Sequence, residues 1–125
     1  MNKNKVKKKK KITIIESDKS ITTILEFILT QNNYDTESYN KNIIKNFILS
    51  QKPNLILLDE NINTKTSTNL FKILNINHPD IPIIYMIGKK LKPGFFNTTI
   101  NPIIGYLYKP LDTEEIVKKV NQILK

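Results

Sequence analysis

The segment Pro53-Asn54-Leu55-Ile56-Leu57-Leu58-Asp59 places four consecutive apolar residues directly before a carboxylate. A short, unbroken apolar run predicts a strand that is buried on both faces, as in a parallel sheet covered by helices. Ligands and reacting groups in such sheets lie just beyond the carboxyl ends of the strands. Asp59 occupies that position, so it is either a reactive residue or an aspartate that simply starts a turn.

Strand-like and helix-like segments alternate on both sides of this central strand. Four further strands are predicted at residues 12–15, 34–39, 81–87 and 103–108. Helices are predicted at residues 20–31, 41–51, 67–74 and 112–124. The apolar face of the first helix is predicted to consist of Ile21, Ile24, Leu25 and Ile28. The five-fold alternation predicts an α/β domain with a five-stranded parallel sheet, in order 2-1-3-4-5, and helices on both faces.

The composition is that of one ordinary globular domain of 125 residues, with 39% hydrophobic residues. The chain has no Cys, which excludes disulfides, thiolate metal sites and cysteine nucleophiles and fits a reducing compartment such as the cytoplasm. No apolar run approaches the ~18 residues of a membrane-spanning helix, and the N-terminus lacks the apolar core of a secretory signal. A cytoplasmic protein without a membrane partner is therefore expected.

The positive charge is concentrated at the N-terminus. The net charge is +9, and residues 1–11 contain seven lysines and no acid, so residues 12–125 carry only +2. This pattern predicts a disordered basic tail at 1–11 followed by a nearly neutral domain at 12–125. The tail either contacts nucleic acid or another acidic surface, or is a solvated leader. Because it has no aromatic or Arg residue, the leader is favoured and a nucleic-acid partner is not expected.

The carboxyl ends of parallel strands meet at one edge of a sheet, and here that edge collects acids and a lysine. The residues brought there are Glu16, Ser17, Asp18, Asp59, Ile87, Gly88 and Lys109. Oxygen ligands of this kind bind Mg²⁺, lysine pairs with phosphate, and a carboxylate can become an aspartyl phosphate. Phosphate chemistry with a divalent cation is therefore indicated. A dinucleotide site is contradicted, because no glycine follows the first strand.

These residues and their spacing resemble the receiver domain of two-component response regulators over residues 12–125. The family's acidic pair, phospho-acceptor aspartate, Thr or Ser switch, aromatic switch and Lys-Pro pair match Glu16 and Ser17, Asp59, Ile87, Tyr106, and Lys109-Pro110. The resemblance implies a flavodoxin-like fold and phosphoryl transfer to Asp59 from a histidine kinase, a phosphotransfer protein or a small phosphodonor. It leaves open whether the chain is an enzyme, since only its own phosphorylation and dephosphorylation are implied.

The resemblance also implies a cation site and a route to partners. Mg²⁺ would be held by Glu16, Asp59 and the backbone oxygen of Asn61, with Asp18 as an alternative ligand. Lys109 would pair with the phosphoryl oxygens. Rotation of Tyr106 would reshape the last helix–strand–helix face for a downstream protein.

Two positions depart from the family pattern. Ser17 stands where the family has a metal-binding carboxylate, so weak Mg²⁺ binding is expected. Ile87 replaces the hydroxyl that contacts the phosphoryl group. An atypical receiver is therefore predicted, either a phospho-acceptor or a degenerate pseudo-receiver that binds proteins without phosphorylation. No output domain follows Lys125, so the chain is expected to act through partners or to be an excised domain.

Two other residues have weaker claims to a role in the site. His78, the only histidine, is followed by Pro79 and is expected to be an ordinary loop residue without a role in phosphotransfer. Tyr85 is expected to be a core or interface ring.

Overall fold

The computed structural model describes residues 8–39, 52–59, 80–88 and 103–125. Their elements are β1 (Lys11–Ile15), α1 (Lys19–Gln31), β2 (Asp35–Tyr39), β3 (Leu55–Asp59), β4 (Ile83–Ile87), β5 (Ile103–Tyr108) and α2 (Thr113–Leu124). The helices predicted at 41–51 and 67–74, together with Asn61 and His78, lie outside the described residues. In the described part of the chain, neither helix is long and apolar enough to cross a bilayer.

The five strands form one sheet in the order β2-β1-β3-β4-β5, and every neighbouring pair is parallel. The predicted strand order is therefore confirmed. Strand β3 lies at the centre, where Leu57 pairs with Ile14 on one side and with Ile84 on the other. The polar strand β2 lies at the edge, as its sequence predicts.

The central strands are buried on both faces. All five residues of β3 and all five of β4 are buried, although their side chains alternate between opposite faces of the sheet. On one face, the strands pack against α1 and α2. That core consists of Ile12, Ile14, Leu25, Leu29, Tyr34, Leu55, Leu57, Ile84, Met86, Leu107, Ile116, Val120 and Leu124. Complete burial of one such Leu or Ile side chain contributes roughly 1.5–3 kcal/mol, so this core contributes strongly to the stability of the domain.

Both described helices begin at an aspartate that caps the first turn. The Asp18 carboxylate accepts hydrogen bonds from the backbone N–H groups of Ser20 and Ile21, at 2.8 and 3.3 Å. Asp112 does the same for α2. The sequence predicts the Asp112 cap from its capping motif, whereas for α1 it allows either Asp18 or Ser20, and the structure selects Asp18.

The predicted apolar face of α1 is partly wrong. Leu25 and Leu29 are the buried residues of this helix, whereas Ile24 is 50% exposed. The sequence of α1 is apolar around more than half of its circumference, and only the sector facing the sheet is covered. Periodicity alone could not select that sector.

Hydrogen bonds join α2 to two earlier segments of the chain. The Tyr34 hydroxyl donates to Asn121 Oδ1 at 2.5 Å, and Lys10 Nζ donates to the backbone oxygen of Leu124 at 2.6 Å. Strand β1 begins at Lys11, one residue before the predicted start, because Lys11 pairs in register with Asp35 on β2. Lys10 and Lys11 therefore make domain contacts, although the sequence placed them in the basic tail.

Candidate functional site

Three charged side chains meet at the carboxyl ends of β1, β3 and β5. Lys109 Nζ lies 2.7 Å from Asp59 Oδ1 and 3.1 Å from Glu16 Oε1. Glu16 and Asp59 are 2% and 1% exposed, and the Lys109 side chain is 14% exposed. The site is thus a buried cluster of two carboxylates around one ammonium group.

Backbone hydrogen bonds continue the sheet to each of the two outer residues. Glu16 N donates to the backbone oxygen of Tyr39 at 3.1 Å, and Lys109 N donates to that of Ile87 at 2.7 Å. The peptide bond between Lys109 and Pro110 is cis. Asp59 is the last residue of β3, in register with Met86 on β4. The sheet therefore sets the positions of all three charged residues.

Burial and mutual repulsion favour a proton on this cluster. Burial raises the pKa of Glu16 to about 7, and the nearby Asp59 carboxylate acts in the same direction. The Asp18 N–H, which donates to Glu16 Oε2 at 3.0 Å, and the Lys109 ammonium partly oppose the shift. Burial by itself lowers the pKa of Lys109, but hydrogen bonds to Asp59 and Glu16 outweigh it and raise that pKa. Lys109 is consequently charged at neutral pH.

Ser17 and Asp18 lie beside this cluster in different roles. The Ser17 hydroxyl is 3.4 Å from Asp59 Oδ2 and donates a long hydrogen bond to it. The Asp18 side chain is exposed and caps α1, which occupies one of its carboxylate oxygens. Within the described residues, no group of three or more His, Cys, Asp or Glu side chains could hold a metal ion.

The two predicted switch residues lie on neighbouring strands, Ile87 at the end of β4 and Tyr106 within β5, where it pairs with Tyr85. Ile87 is 1% exposed at the end of β4, and Tyr106 is half-buried on β5. The Tyr106 ring stacks on the buried Tyr85 ring, with centroids 6.5 Å apart and planes inclined by 20°. Tyr85 is a core ring, as expected, but its contact with Tyr106 was not predicted.

The ion pair between Glu16 and Lys109 is the feature of the site that the sequence analysis missed. Glu16 was assigned to the cation, and Lys109 to the phosphoryl group. The one hint in the sequence is the length of the Glu16 side chain, which is one methylene longer than the usual aspartate. Side-chain length alone does not predict an ion pair, because the position of Lys109 relative to Glu16 is known only from the folded structure.

The model for the response regulator receiver domain matches residues 12–121. The chain belongs to this family. It is also 30% identical over 114 residues to the transcriptional regulatory protein KdpE of Staphylococcus aureus, an alignment that covers 90% of this chain and 49% of KdpE. The chain therefore spans about half the length of that relative.

Solved receiver structures have the same architecture. A two-component response regulator from Clostridium difficile is 28% identical, with a TM-score of 0.75, and the match covers 93% of this chain and 96% of that one. The receiver domain of the sensor histidine kinase PA1611 from Pseudomonas aeruginosa is 17% identical, with a TM-score of 0.74, and the match covers 93% and 98%. That receiver holds a magnesium ion in its active-site cleft.

The raised pKa of Glu16 predicts a pH-dependent effect of Glu16→Gln in this receiver. At pH values between the ordinary pKa of 4.5 and the raised pKa of about 7, Glu16 keeps its proton in the folded chain but releases it in the unfolded chain. The stability due to Glu16 is therefore complete below about pH 4.5 and lost as the pH rises through about 7. Glutamine mimics the protonated form, so Glu16→Gln should stabilise the domain by about 1–3 kcal/mol more at about pH 8 than at about pH 5. Urea unfolding in EDTA measures the difference.

Glu37→Gln is the matched control. Burial of Glu37 raises its pKa, but hydrogen bonds from Lys11 and Tyr39 outweigh burial and lower it. Replacing the Glu37 carboxylate with the Gln amide should therefore not stabilise the domain anywhere between about pH 5 and pH 8. An equal effect of Glu16→Gln at both pH values would show that Glu16 is ionised throughout, and would contradict the prediction.

Proposed function

We propose that this receiver accepts a phosphoryl group on Asp59 from a histidine kinase, a phosphotransfer protein or a small phosphodonor. The observation that supports the proposal is the Lys109 ammonium 2.7 Å from the Asp59 carboxylate, at the carboxyl end of the central strand. A buried carboxylate beside a fixed cation is suited to receive a group that brings further negative charge. The donors named here, like the Cys-free sequence, fit a cytoplasmic protein.

The proposed reaction moves one phosphoryl group. An oxygen of the Asp59 carboxylate attacks the phosphorus of a phosphohistidine, and the phosphorus–nitrogen bond breaks as the new phosphorus–oxygen bond forms. The bonding electrons stay on the departing imidazole, which takes up a proton. Lys109 pairs with the phosphoryl oxygens, whose charge would otherwise be buried beside Glu16.

The residues at the site fit Mg²⁺ in part. Glu16 and Asp59 supply hard carboxylate oxygens, and the backbone oxygen of Asn61 is the third proposed ligand. Mg²⁺ keeps several of its waters, so it does not need a complete protein cage. When bound, it would neutralise the phosphoryl oxygens. The Ser17 hydroxyl carries no charge, and the Glu16 carboxylate is paired with Lys109, so we propose that binding is weak.

Ile87 is the residue that argues for a muted switch. Its buried alkyl side chain cannot donate a hydrogen bond to a phosphoryl group on Asp59. Tyr106 already has the Tyr85 ring as a stacking partner. We therefore propose that phosphorylation reshapes the face formed by β5 and α2 less than a hydroxyl at position 87 would allow. A downstream protein that binds this face would sense only a small change.

The alternative function is a pseudo-receiver that binds proteins whether or not Asp59 is phosphorylated. The ion pair between Glu16 and Lys109 favours it, because it neutralises a carboxylate that would otherwise attract Mg²⁺. The two functions share the fold and differ in whether Asp59 reacts.

Phosphorylation of Asp59 tests the proposed function directly. The full chain, incubated with Mg²⁺ and acetyl phosphate or phosphoramidate, should gain the mass of one phosphoryl group by intact-protein mass spectrometry. Hydroxylamine should remove it, because an acyl phosphate is cleaved by that nucleophile. Asp59→Asn should abolish the gain, whereas Asp35→Asn should retain it, because Asp35 is exposed at the amino end of β2, away from the charged cluster.

The remaining outcomes are equally informative. No gain in wild type, in a sample whose folding is confirmed by circular dichroism, would favour the pseudo-receiver. A gain that persists in Asp59→Asn would place the acceptor elsewhere and reject the role of Asp59.

Ser17→Asp should strengthen Mg²⁺ binding. An added carboxylate near the cation contributes roughly 1–2 kcal/mol after solvent screening. This corresponds to about five- to thirty-fold in affinity. Without metal, the variant should melt lower than wild type, because the new charge faces Asp59, and Mg²⁺ should restore the loss by mass action. Thermal melting across a Mg²⁺ series measures both effects.

Asp59→Ala serves as the control for that series, since it removes a proposed ligand. Identical melting of wild type and Ser17→Asp at every Mg²⁺ concentration would show that position 17 does not contribute to the cation site. Tight binding by wild type that Asp59→Ala abolishes would show that Glu16 or Asp18 compensates for Ser17.

Ile87→Thr should restore coupling between Asp59 and β5. Amide chemical shifts of residues 104–120 should change little when fluoroberyllate is added to wild type, and change more in Ile87→Thr, because threonine supplies the missing hydroxyl. Ile87→Val, which changes size without adding a donor, is the matched control. Large shifts in wild type would contradict the muted switch.

A further inference from the structure

The lysines at the N-terminus join a second segment of the chain in a basic cleft. The cleft has a volume of about 520 Å³ and lies at the amino ends of β1 and β3. Its lining residues are Lys8, Lys9, Lys10, Lys11, Lys52 and Asn54. Lys52 is distant in sequence from the other lysines, so folding assembles this basic cleft.

The basic cleft is anchored to the sheet by hydrogen bonds of the main chain and of the Asn54 side chain. Lys11 N donates to Asn54 Oδ1 at 2.8 Å, and Asn54 N donates to the backbone oxygen of Lys11 at 2.8 Å. Asp35 N donates to the backbone oxygen of Lys10 at 3.0 Å. These bonds hold Lys10 and Lys11 between the start of β2 and the segment that enters β3. The backbone at the centre of the cleft therefore has a defined position.

The charges of the basic cleft are only partly compensated. Lys11 pairs with Glu37 at 2.6 Å, and Lys52 pairs with Asp80 at 2.7 Å. The Lys52–Asp80 pair is highly exposed, with side chains that are 50% and 69% accessible, so it holds its partners weakly. Lys8 and Lys9 are exposed and form no ion pair with another described residue. They and Lys52 are available to an anionic ligand.

The residues that line the basic cleft favour a nucleic-acid backbone over a membrane surface as its anionic partner. A membrane surface is held stably by lysines together with an apolar or lipid anchor, and the lining residues are lysines and one asparagine. Residues 1–11 contain only Met1 and Val6 as apolar residues. A nucleic-acid backbone needs no apolar contact, because phosphate neutralisation and counterion release supply the affinity. The absence of aromatic and Arg lining residues removes base stacking and bidentate readout.

We infer that the basic cleft binds the phosphate backbone of double-stranded nucleic acid without sequence preference. The cleft is separate from the phosphorylation site. Strand β3 runs from Leu55 beside the cleft to Asp59, a span of about 13 Å at roughly 3.3 Å per residue. Backbone binding and phosphoryl transfer can therefore succeed or fail independently.

The test is fluorescence anisotropy of the full chain with a short, mixed-sequence DNA duplex, over about 50 to 200 mM salt. Binding should weaken linearly on a log–log salt plot. The triple variant Lys8→Gln/Lys9→Gln/Lys52→Gln should bind at least tenfold more weakly at low salt. The triple variant should also reduce the steepness of the plot of log affinity against log salt concentration, by up to about 0.9 for each phosphate contact removed. Melting of this variant by circular dichroism verifies its folding, and Lys8→Gln/Lys9→Gln is used if Lys52→Gln impairs folding.

The matched control removes the same charge elsewhere. Lys19→Gln/Lys118→Gln/Lys119→Gln neutralises three helix lysines that do not line the cleft, and its affinity should stay within about twofold of wild type. Lys52→Gln alone should weaken binding more than Lys118→Gln alone, since only Lys52 lies in the cleft.

Three results would overturn the inference. One is equal loss of affinity in the triple variant and its control, which would show that net charge alone is responsible. Another is binding to vesicles containing phosphatidylserine in the absence of duplex binding. The third is a strong preference for one DNA sequence in competition. Asp59→Ala should leave duplex binding unchanged, so failure of phosphorylation would not affect this test.

Discussion

The Lys109 ammonium between the Asp59 and Glu16 carboxylates is the interaction on which the functional edge of this receiver depends. Two carboxylates that are almost fully buried at the ends of neighbouring strands would repel each other strongly without a cation between them. Lys109 neutralises one charge, and partial protonation of Glu16 reduces the other, as its pKa of about 7 indicates. Both effects lower the electrostatic cost of ending the core in a charged cluster.

The same interaction gives Ser17 a physical consequence. A carboxylate at that position would add a third negative charge to a cluster that has one ammonium group. The hydroxyl avoids this charge and still donates a hydrogen bond to Asp59, at 3.4 Å. The weak Mg²⁺ binding proposed above has the same physical basis, because an uncharged hydroxyl offers a cation no anionic oxygen.

The charges of this domain are separated along the strand direction. The carboxyl ends of β1 and β3 lead to Glu16 and Asp59, whereas their amino ends carry the lysines of the basic cleft. In a parallel sheet all amino ends lie on one side and all carboxyl ends on the other, so residues that precede the strands are kept apart from residues that follow them. Phosphoryl chemistry and an electrostatic contact can consequently occupy opposite edges of one small sheet without sharing residues.

The sequence by itself determined the strand order, the central position of β3 and the Asp112 cap of α2, because apolar runs and capping motifs act over a few residues. It also indicated that Asp59 and Lys109 belong to one edge, since all parallel strands end there. Tertiary structure alone decided that Glu16 reaches Lys109, that Ile24 is exposed on α1, and that Lys52 joins the N-terminal lysines. Each of these facts depends on distances between segments far apart in the chain, and local periodicity contains no information about such distances.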